Sequence, residues 1–428
     1  VKHKKGREAV RAGIAGAVAF VLAAGMGLAW GQDTAAPAAP PRTVVLDTFG
    51  NWRMYAKLAP PVLANGETVS LKYIWLNYET PEPAEGWMKP EFDDYSWSQG
   101  SLRRLVKTRL TATGCLRGKF MVTDPGAVND LKLSVSYRGG LIVYMNGEEV
   151  RREHIEKDKT VAEGAPGEER SLEDLTIPKG LLKKGVNVLG LEAVRTAYPE
   201  PSKDGKYDTL VCEIIQVRLT ASDGSGLAPN TVRPQGFQVW NADPLVGDFD
   251  LDFGNPCEAL RAVRIEGARN GQFTGKVVVG STEAIKRLKV TPGALKCDGG
   301  SIAAGNVHIR YGIVWGDQDL NIASGSKDNM RRPYTAFQHL LGALSDEPLE
   351  TFEVKVPEFK QSWKTIRHVA GQPMPVAGAT VPVWITVKVP ADAKAGVYTG
   401  EVTIEATGEK AVVVPVEMRG ADYVLPDT

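Results

Sequence analysis

Three groups of side chains in this 428-residue chain have the types and spacing that chemistry requires. Asp248, Asp250 and Asp252 alternate ahead of Gly254 in the run DFDLDFG, the kind of oxygen-rich spacing from which a calcium loop is built. The glycine falls one position later than such a loop requires, and Phe249, Leu251 and Phe253 supply the opposite, apolar face of a strand, which is the favoured reading. Glu91, Asp93 and Asp94 in PEFDDYSW have the look of paired carboxylates that hydrolyse glycosidic bonds. Adjacent residues of an extended chain point to opposite faces, so Asp93 and Asp94 are poorly placed to flank one bond, and a turn is expected instead. Trp75, Trp87, Tyr95 and Trp97 crowd the same region. Exposed aromatic rings are platforms for the apolar faces of sugars, which makes Trp87, Tyr95 and Trp97 the candidate carbohydrate-binding residues. The competing reading is that they fill the core and rim of the domain, the commoner fate of any single tryptophan.

Most enzyme signatures are absent. No HExxH, CxxC, GxSxG or GxGxxG occurs, and the run from Gly271 to Lys276 is one residue short of a phosphate loop and is followed by Val277. A strand and turn suit it better. The five histidines, at positions 3, 154, 308, 339 and 368, form no pair at ligand spacing, and His308 sits in a strand pattern as a structural residue. No catalytic residue, metal site or cofactor is therefore assigned.

The N-terminus carries Lys2, Lys4, Lys5, Arg7 and Arg11 against Glu8, followed by a small-apolar stretch from Ala12 to Trp30. This is the layout of a secretory signal peptide, residues 1–31, cleaved after Gly31; an uncleaved membrane anchor is the rival reading. The expected location is secreted, periplasmic or cell-surface, with no stable membrane span after cleavage. The chain has 51 basic and 51 acidic residues, and the leader takes five basic and one acidic with it. The remainder is mildly acidic and lacks a long basic run, which argues against nucleic acid as a partner. Cys115 and Cys212 fall in one half, Cys257 and Cys297 in the other; two disulfides or four buried thiols fit equally.

An Ala/Pro tether, residues 32–42, leads into about 390 residues, too many for one usual core, so two domains are expected, 43–222 and 233–428. The Gly, Ser, Pro and Asn-rich segment 223–232 is the expected linker. Alternation over Leu131 to Tyr137, apolar runs at 141–145, 186–194 and 210–219, and further runs at 277–279, 307–311, 383–389, 397–404 and 412–418 predict strands. Asn146-Gly147 between two such runs predicts a hairpin with a type I′ turn. The charged stretch 153–173 is expected to be a solvated insertion or loop. Ala336, Phe337, Leu340, Leu341 and Leu344, behind Pro333, predict one short helix. The fold class is all-β, with two β-sandwich domains of jelly-roll or immunoglobulin-like kind.

Two resemblances sharpen this. Gly86-Trp87, Pro90 to Trp97, Arg117-Gly118-Lys119-Phe120, Val143 to Gly147 and Leu181 to Leu191 resemble the galactose-binding-like jelly roll of many bacterial glycoside hydrolases. Ala268-Arg269-Asn270, Val277 to Val279, Val307 to Tyr311, Val383 to Val387, Val389-Pro390, Gly396 to Gly400 and Leu425-Pro426 resemble the N-terminal β-sandwich of glycoside hydrolase family 123, here immunoglobulin-like. That family is expected to cleave β-linked N-acetylgalactosamine by a substrate-assisted route on a (β/α) barrel that follows the sandwich. The resemblance implies an exported, non-catalytic region that binds a glycan or polysaccharide or braces such a barrel. A free-standing carbohydrate-binding or scaffold protein is the alternative.

Overall fold

The computed structural model describes residues 41–69, 79–102, 105, 108–198, 209–315, 339–354 and 378–426. The expected leader, nearly all of the tether, Trp75, His3, His368, and Ala336 and Phe337 of the expected helix lie outside the described residues.

The first sandwich is built from β1 (Thr43–Asp47), β2 (Trp52–Leu58), β3 (Ser98–Gly100), β4 (Thr111–Val122), β5 (Lys132–Arg138), β6 (Gly140–Met145), β7 (Glu148–Glu153), β8 (Glu169–Thr176), β9 (Gly185–Val194), β10 (Glu213–Ala221) and β11 (Leu227–Ala228). Four strands pair in the order β1-β10-β5-β8, and seven in the order β3-β2-β4-β9-β6-β7 with β11 beside β4. The alternation seen in the sequence does its expected work in β5, where Leu133, Val135 and Tyr137 turn inward against Phe120, Leu189 and Leu191. Strand β4 is different, because it is buried on both faces. Its outer face is covered by the segment leading to β3, which brings Trp87 and Trp97 against Cys115 and Tyr144.

The second sandwich comprises β12 (Gln238–Ala242), β13 (Val263–Arg269), β14 (Gly271–Ser281), β15 (Ile285–Lys286), β16 (Lys289–Pro292), β17 (Leu295–Cys297), β18 (Gly300–Ile302), β19 (Val307–Ile313), β20 (Ala343–Ser345), β21 (Thr351–Phe352), β22 (Ala379–Val389), β23 (Gly396–Glu405) and β24 (Val412–Val424). One sheet runs β12-β14-β22-β19-β20; the other runs β13-β24-β23-β17-β18 with β16 on β23. Every pairing is antiparallel except β13 with β24. Valine and isoleucine from β14, β22, β23 and β24 meet between the sheets, where β-branched side chains pack best. The all-β sandwich architecture is as the sequence implied.

Three local expectations are corrected. Residues Leu340 to Leu344 are not helical: Leu341 N–H donates to the Asp248 carbonyl (2.9 Å), and Ala343–Ser345 is strand β20 on β19. Leu341 is buried while Leu344 is exposed, so the leucines form no helical stripe, and Gly342 interrupts them. The charged insertion ends in a true strand, β8, anchored at its other end by buried Ile155 and Ala162. The run DFDLDFG is a turn, with Asp252 N–H on the Phe249 carbonyl (3.0 Å). Alternation there reflects separate polar errands of the three aspartates, described below.

All four cysteines are free thiols. Cys115 packs in the outer cluster with Trp87 and Cys212 in the inner core, so the seven-stranded sheet lies between them. Burial pushes the Cys212 thiol up to about 12 and raises that of Cys115 as well.

The hairpin is as read. Asn146 (φ 53°) and Gly147 (φ 93°) join β6 to β7 in the positive-φ geometry that a type I′ turn demands. The asparagine has a second task. Its side chain donates to the Leu181 carbonyl (2.8 Å) and to Asn187 Oδ1 (2.7 Å), and its Oδ1 accepts from Val188 N–H (2.8 Å). Asn146→Gly keeps the turn but strips these bonds from a buried site, so urea titration should show a loss of about 2 kcal/mol. An unchanged midpoint would mean that the turn conformation alone selects this residue.

Candidate functional site: the charged junction

Residues 41–428 form one compact unit, and the two sandwiches meet through a buried cluster of charges. Alternation along β2 and β4 puts Trp52, Leu116, Gly118 and Phe120 inward and Arg53, Arg117 and Lys119 on the other face. That face is not open to solvent: Arg53, Arg117 and Lys119 are all buried, Arg117 completely. The turn of the PEFDDYSW segment closes over them. Arg117 Nε donates to Asp94 Oδ2 (2.7 Å), and its Nη1 reaches the carbonyls of Lys89 (2.9 Å) and Trp87. Lys119 Nζ lies 2.8 Å from the Asp94 carboxylate and 2.8 Å from Glu258 Oε1. Arg53 donates its Nε to Glu258 Oε1 (3.0 Å), its Nη2 to Glu258 Oε2, and its Nη1 to the Trp97 carbonyl (3.2 Å).

Glu258 is the second sandwich's contribution. Burial by itself would raise its carboxyl, but the hydrogen bond and charge of Arg53, with Lys119 beside it, outweigh burial and hold it at about 2. Around this centre, Asn230, fully buried in the connecting segment, donates to the Lys119 carbonyl (2.9 Å) and to Asn255 Oδ1 (2.9 Å). Asn51 Nδ2 donates to the Phe253 carbonyl (3.2 Å). Asp93 turns the other way from Asp94 and pairs with Arg261, which draws its carboxyl below the ordinary range.

The three aromatic candidates are divided between two tasks. Trp87 and Trp97 are buried, 5.8 Å apart, with Tyr55, Phe92 and Tyr144 at 5.3 to 5.7 Å around them. Buried indoles offer no free face on which a sugar ring could stack. Tyr95 is half-buried at the junction: its hydroxyl donates to the Ala262 carbonyl (3.4 Å), and the guanidinium groups of Arg264 and Arg261 lie 5.4 and 5.7 Å from its ring. Sequence reasoning missed Arg53, Arg117, Lys119 and Glu258. The one signal available was the placing of Arg53, Arg117 and Lys119 among the apolar residues of two strands.

The DFDLDFG aspartates are likewise engaged with protein groups. Asp248 pairs with fully buried Lys276 (2.7 Å), Asp250 Oδ2 lies 2.8 Å from His339 Nδ1, and Asp252 Oδ2 accepts from Phe249 N–H (2.8 Å). Arg233 ties the same turn to β22 through the carbonyls of Asp250 (2.8 Å) and Ala379 (2.7 Å). Among the described residues no three His, Cys, Asp or Glu stand together as a metal site. None of their helices is long and apolar enough to cross a membrane.

The chain is thus an all-β double sandwich joined by an ion cluster, and the comparisons with known proteins give one half of it a context. Residues 256–406 match the family model described as Glycoside hydrolase 123 N-terminal domain, so the second sandwich is a glycoside-hydrolase-associated domain of that kind. No curated protein matches the chain in sequence. Solved structures with similarity include a family 123 glycoside hydrolase from Clostridium perfringens (14% identity, 40% of this chain and 24% of that one, TM-score 0.23). A glycosyl hydrolase family 2 member from Bacteroides cellulosilyticus (13%, 87% and 36%, 0.24) and a β-glucuronidase from Ruminococcus gnavus (11%, 59% and 36%, 0.25) are also similar. The chain spans less than half the length of each of these, and TM-scores of this size carry no argument.

Removing the Glu258 charge leaves buried Arg53 and Lys119 without it, so Glu258→Gln should cost about 3 kcal/mol at neutral pH. The Glu258 carboxyl lies below its ordinary 4.5, so its stabilisation is complete above that value and is lost as pH falls through about 2. Urea titrations of wild type and variant should therefore converge on acidification, and a constant gap would show that the carboxylate is not the source. Trp97→Ala should cost about 3 to 5 kcal/mol, as for a core aromatic. A change within about 0.5 kcal/mol would instead mark Trp97 as a surface platform.

Proposed function

We propose that this chain is the exported, non-catalytic region of a glycoside hydrolase, a pair of sandwiches that braces and positions a catalytic (β/α) barrel. The observation that carries the reading is the junction: a partly buried carboxylate of one sandwich held by two buried cations of the other makes the pair a single rigid support. The match of residues 256–406 supplies the hydrolase context. The resemblance to family 123 makes β-linked N-acetylgalactosamine the proposed substrate of the associated barrel, and the basic, apolar N-terminus makes export the proposed route. On this reading Trp87 and Trp97 stiffen the segment that closes the junction, and Tyr95 spans it.

Calorimetric melting tests the support directly. The wild type should unfold in one transition, and the double variant Asp93→Ala/Glu258→Gln should separate it into two, one per sandwich. A variant that still melts in one transition at the wild-type midpoint would sink the bracing role. The chain on its own should not hydrolyse 4-nitrophenyl N-acetyl-β-galactosaminide; turnover by the purified chain, abolished by no junction variant, would place catalysis in it. A role in binding glycan is favoured by one specific feature, a polar cleft on the opposite side of the first sandwich.

A further inference from the structure

We infer that the outer face of the four-stranded sheet β1-β10-β5-β8 is a binding site for an uncharged oligosaccharide. The inference rests on the glycoside-hydrolase context proposed above and on a cleft of about 360 Å³ on that face, a volume within the range of small-molecule sites. Strand register builds its floor: Ser136 stands beside Gln216, and Ser134 beside Arg218. Its wall is a bulge. Between Leu175 and Leu172 of β8 two residues, Glu173 and Asp174, oppose the single Ser134 of β5. Asp174 adopts φ 50°, and its N–H donates to Ser134 Oγ (3.1 Å), which fixes the bulge over the floor. Arg42 closes the far end, held by Asp130 and Thr220.

The chemistry of the lining selects the ligand. Gln216, Arg218, Glu173 and Ser136 make no hydrogen bond or ion pair through their side chains among the described residues, whereas Arg138, Glu169 and Glu213 on the neighbouring part of the same sheet are paired with one another. Two guanidinium groups and two carboxylates line the cleft, so it carries no net charge. A ligand with sulfate or carboxylate groups would meet Glu173 and Asp174 as well as the arginines. A sugar hydroxyl both donates and accepts, and can use the guanidinium and amide on one side and the carboxylates on the other. None of the lining residues is aromatic, so hydrogen bonds rather than ring stacking would hold the sugar.

The test uses the full chain on an array of uncharged, sialylated and sulfated oligosaccharides, followed by calorimetric titration of the best-retained uncharged one. Arg218→Ala should weaken binding at least tenfold, and Ser136→Trp, which fills the floor, should abolish it, both at an unchanged melting temperature. Glu258→Gln, at the junction with the second sandwich, should bind as wild type. No retention of any uncharged oligosaccharide, preference for the sulfated or sialylated ones, or wild-type affinity in both cleft variants would overturn the inference. If the cleft fails while the junction variants still split the melting transition, the bracing role stands without it.

Discussion

The carboxylate of Glu258, held between Arg53 and Lys119, is the contact on which the relation of the two sandwiches depends. Three buried cations, buried Asp94 and partly buried Glu258 are gathered there, and each buried charge would cost several kcal/mol if left alone. The excess positive charge is met by main-chain carbonyls of Trp87, Lys89 and Trp97. Compensation of that kind works at one geometry only. Two strands, one turn and the segment around Asn255 must all be in place before any of the charges is satisfied. An apolar interface of the same size would tolerate sliding; this one does not, and its contribution is a fixed register more than net stability.

The same device recurs within the second sandwich. Lys276 is fully buried, yet its ammonium finds the Val246 carbonyl and Asp248, both at 2.7 Å, and lies 5.1 Å from the Trp384 ring centre. Arg233 spreads its guanidinium over carbonyls from Ser281, Ala379 and Asp250 and over Thr380 Oγ1. These cations hold the turn 248–254 against β14 and β22. Phe253, at the end of that turn, is in turn the acceptor for Asn51 of the first sandwich. A continuous chain of polar contacts thus runs from the interior of the second sandwich through the junction to β2, and the Gly and Pro-rich connecting segment is pinned to it by Asn230.

How much of this was legible follows from what alternation can encode. In β5 alternation announced the strand, and in β9 and β22 an apolar run did, because those two are buried at most of their positions. The Asn-Gly hairpin was equally plain, since few dipeptides tolerate two positive φ values. Charge is where the reading failed, for a physical reason. Arg53, Arg117 and Lys119 alternate with apolar residues as solvent-facing residues do, and nothing local says that a distant segment will cover them. The aspartates at 248, 250 and 252 alternate too, but in a turn, where Asp248 and Asp250 serve distant partners and Asp252 caps the turn itself through Phe249 N–H. The leucines at 340, 341 and 344 fit a helix by spacing, yet their backbone bonds go to β19 and to the 248 turn. Pairings from 23 to 205 residues apart decide these cases, and no short window along the chain contains them.

The division of labour within the first sandwich follows from its two sheets. The seven-stranded sheet spends its outer face on the segment from Ala84 to Trp97, whose aromatics and aspartates are committed to the core and the junction. Those residues were the natural candidates for sugar recognition by type, and their commitment removes the exposure that stacking needs. The four-stranded sheet has no such cover at Gln216 and Arg218, both exposed, and a bulge there raises two carboxylates beside them. A support that must also touch a glycan would have to do so from this second face, because a ligand on the first would compete with the contacts that keep the two sandwiches in register.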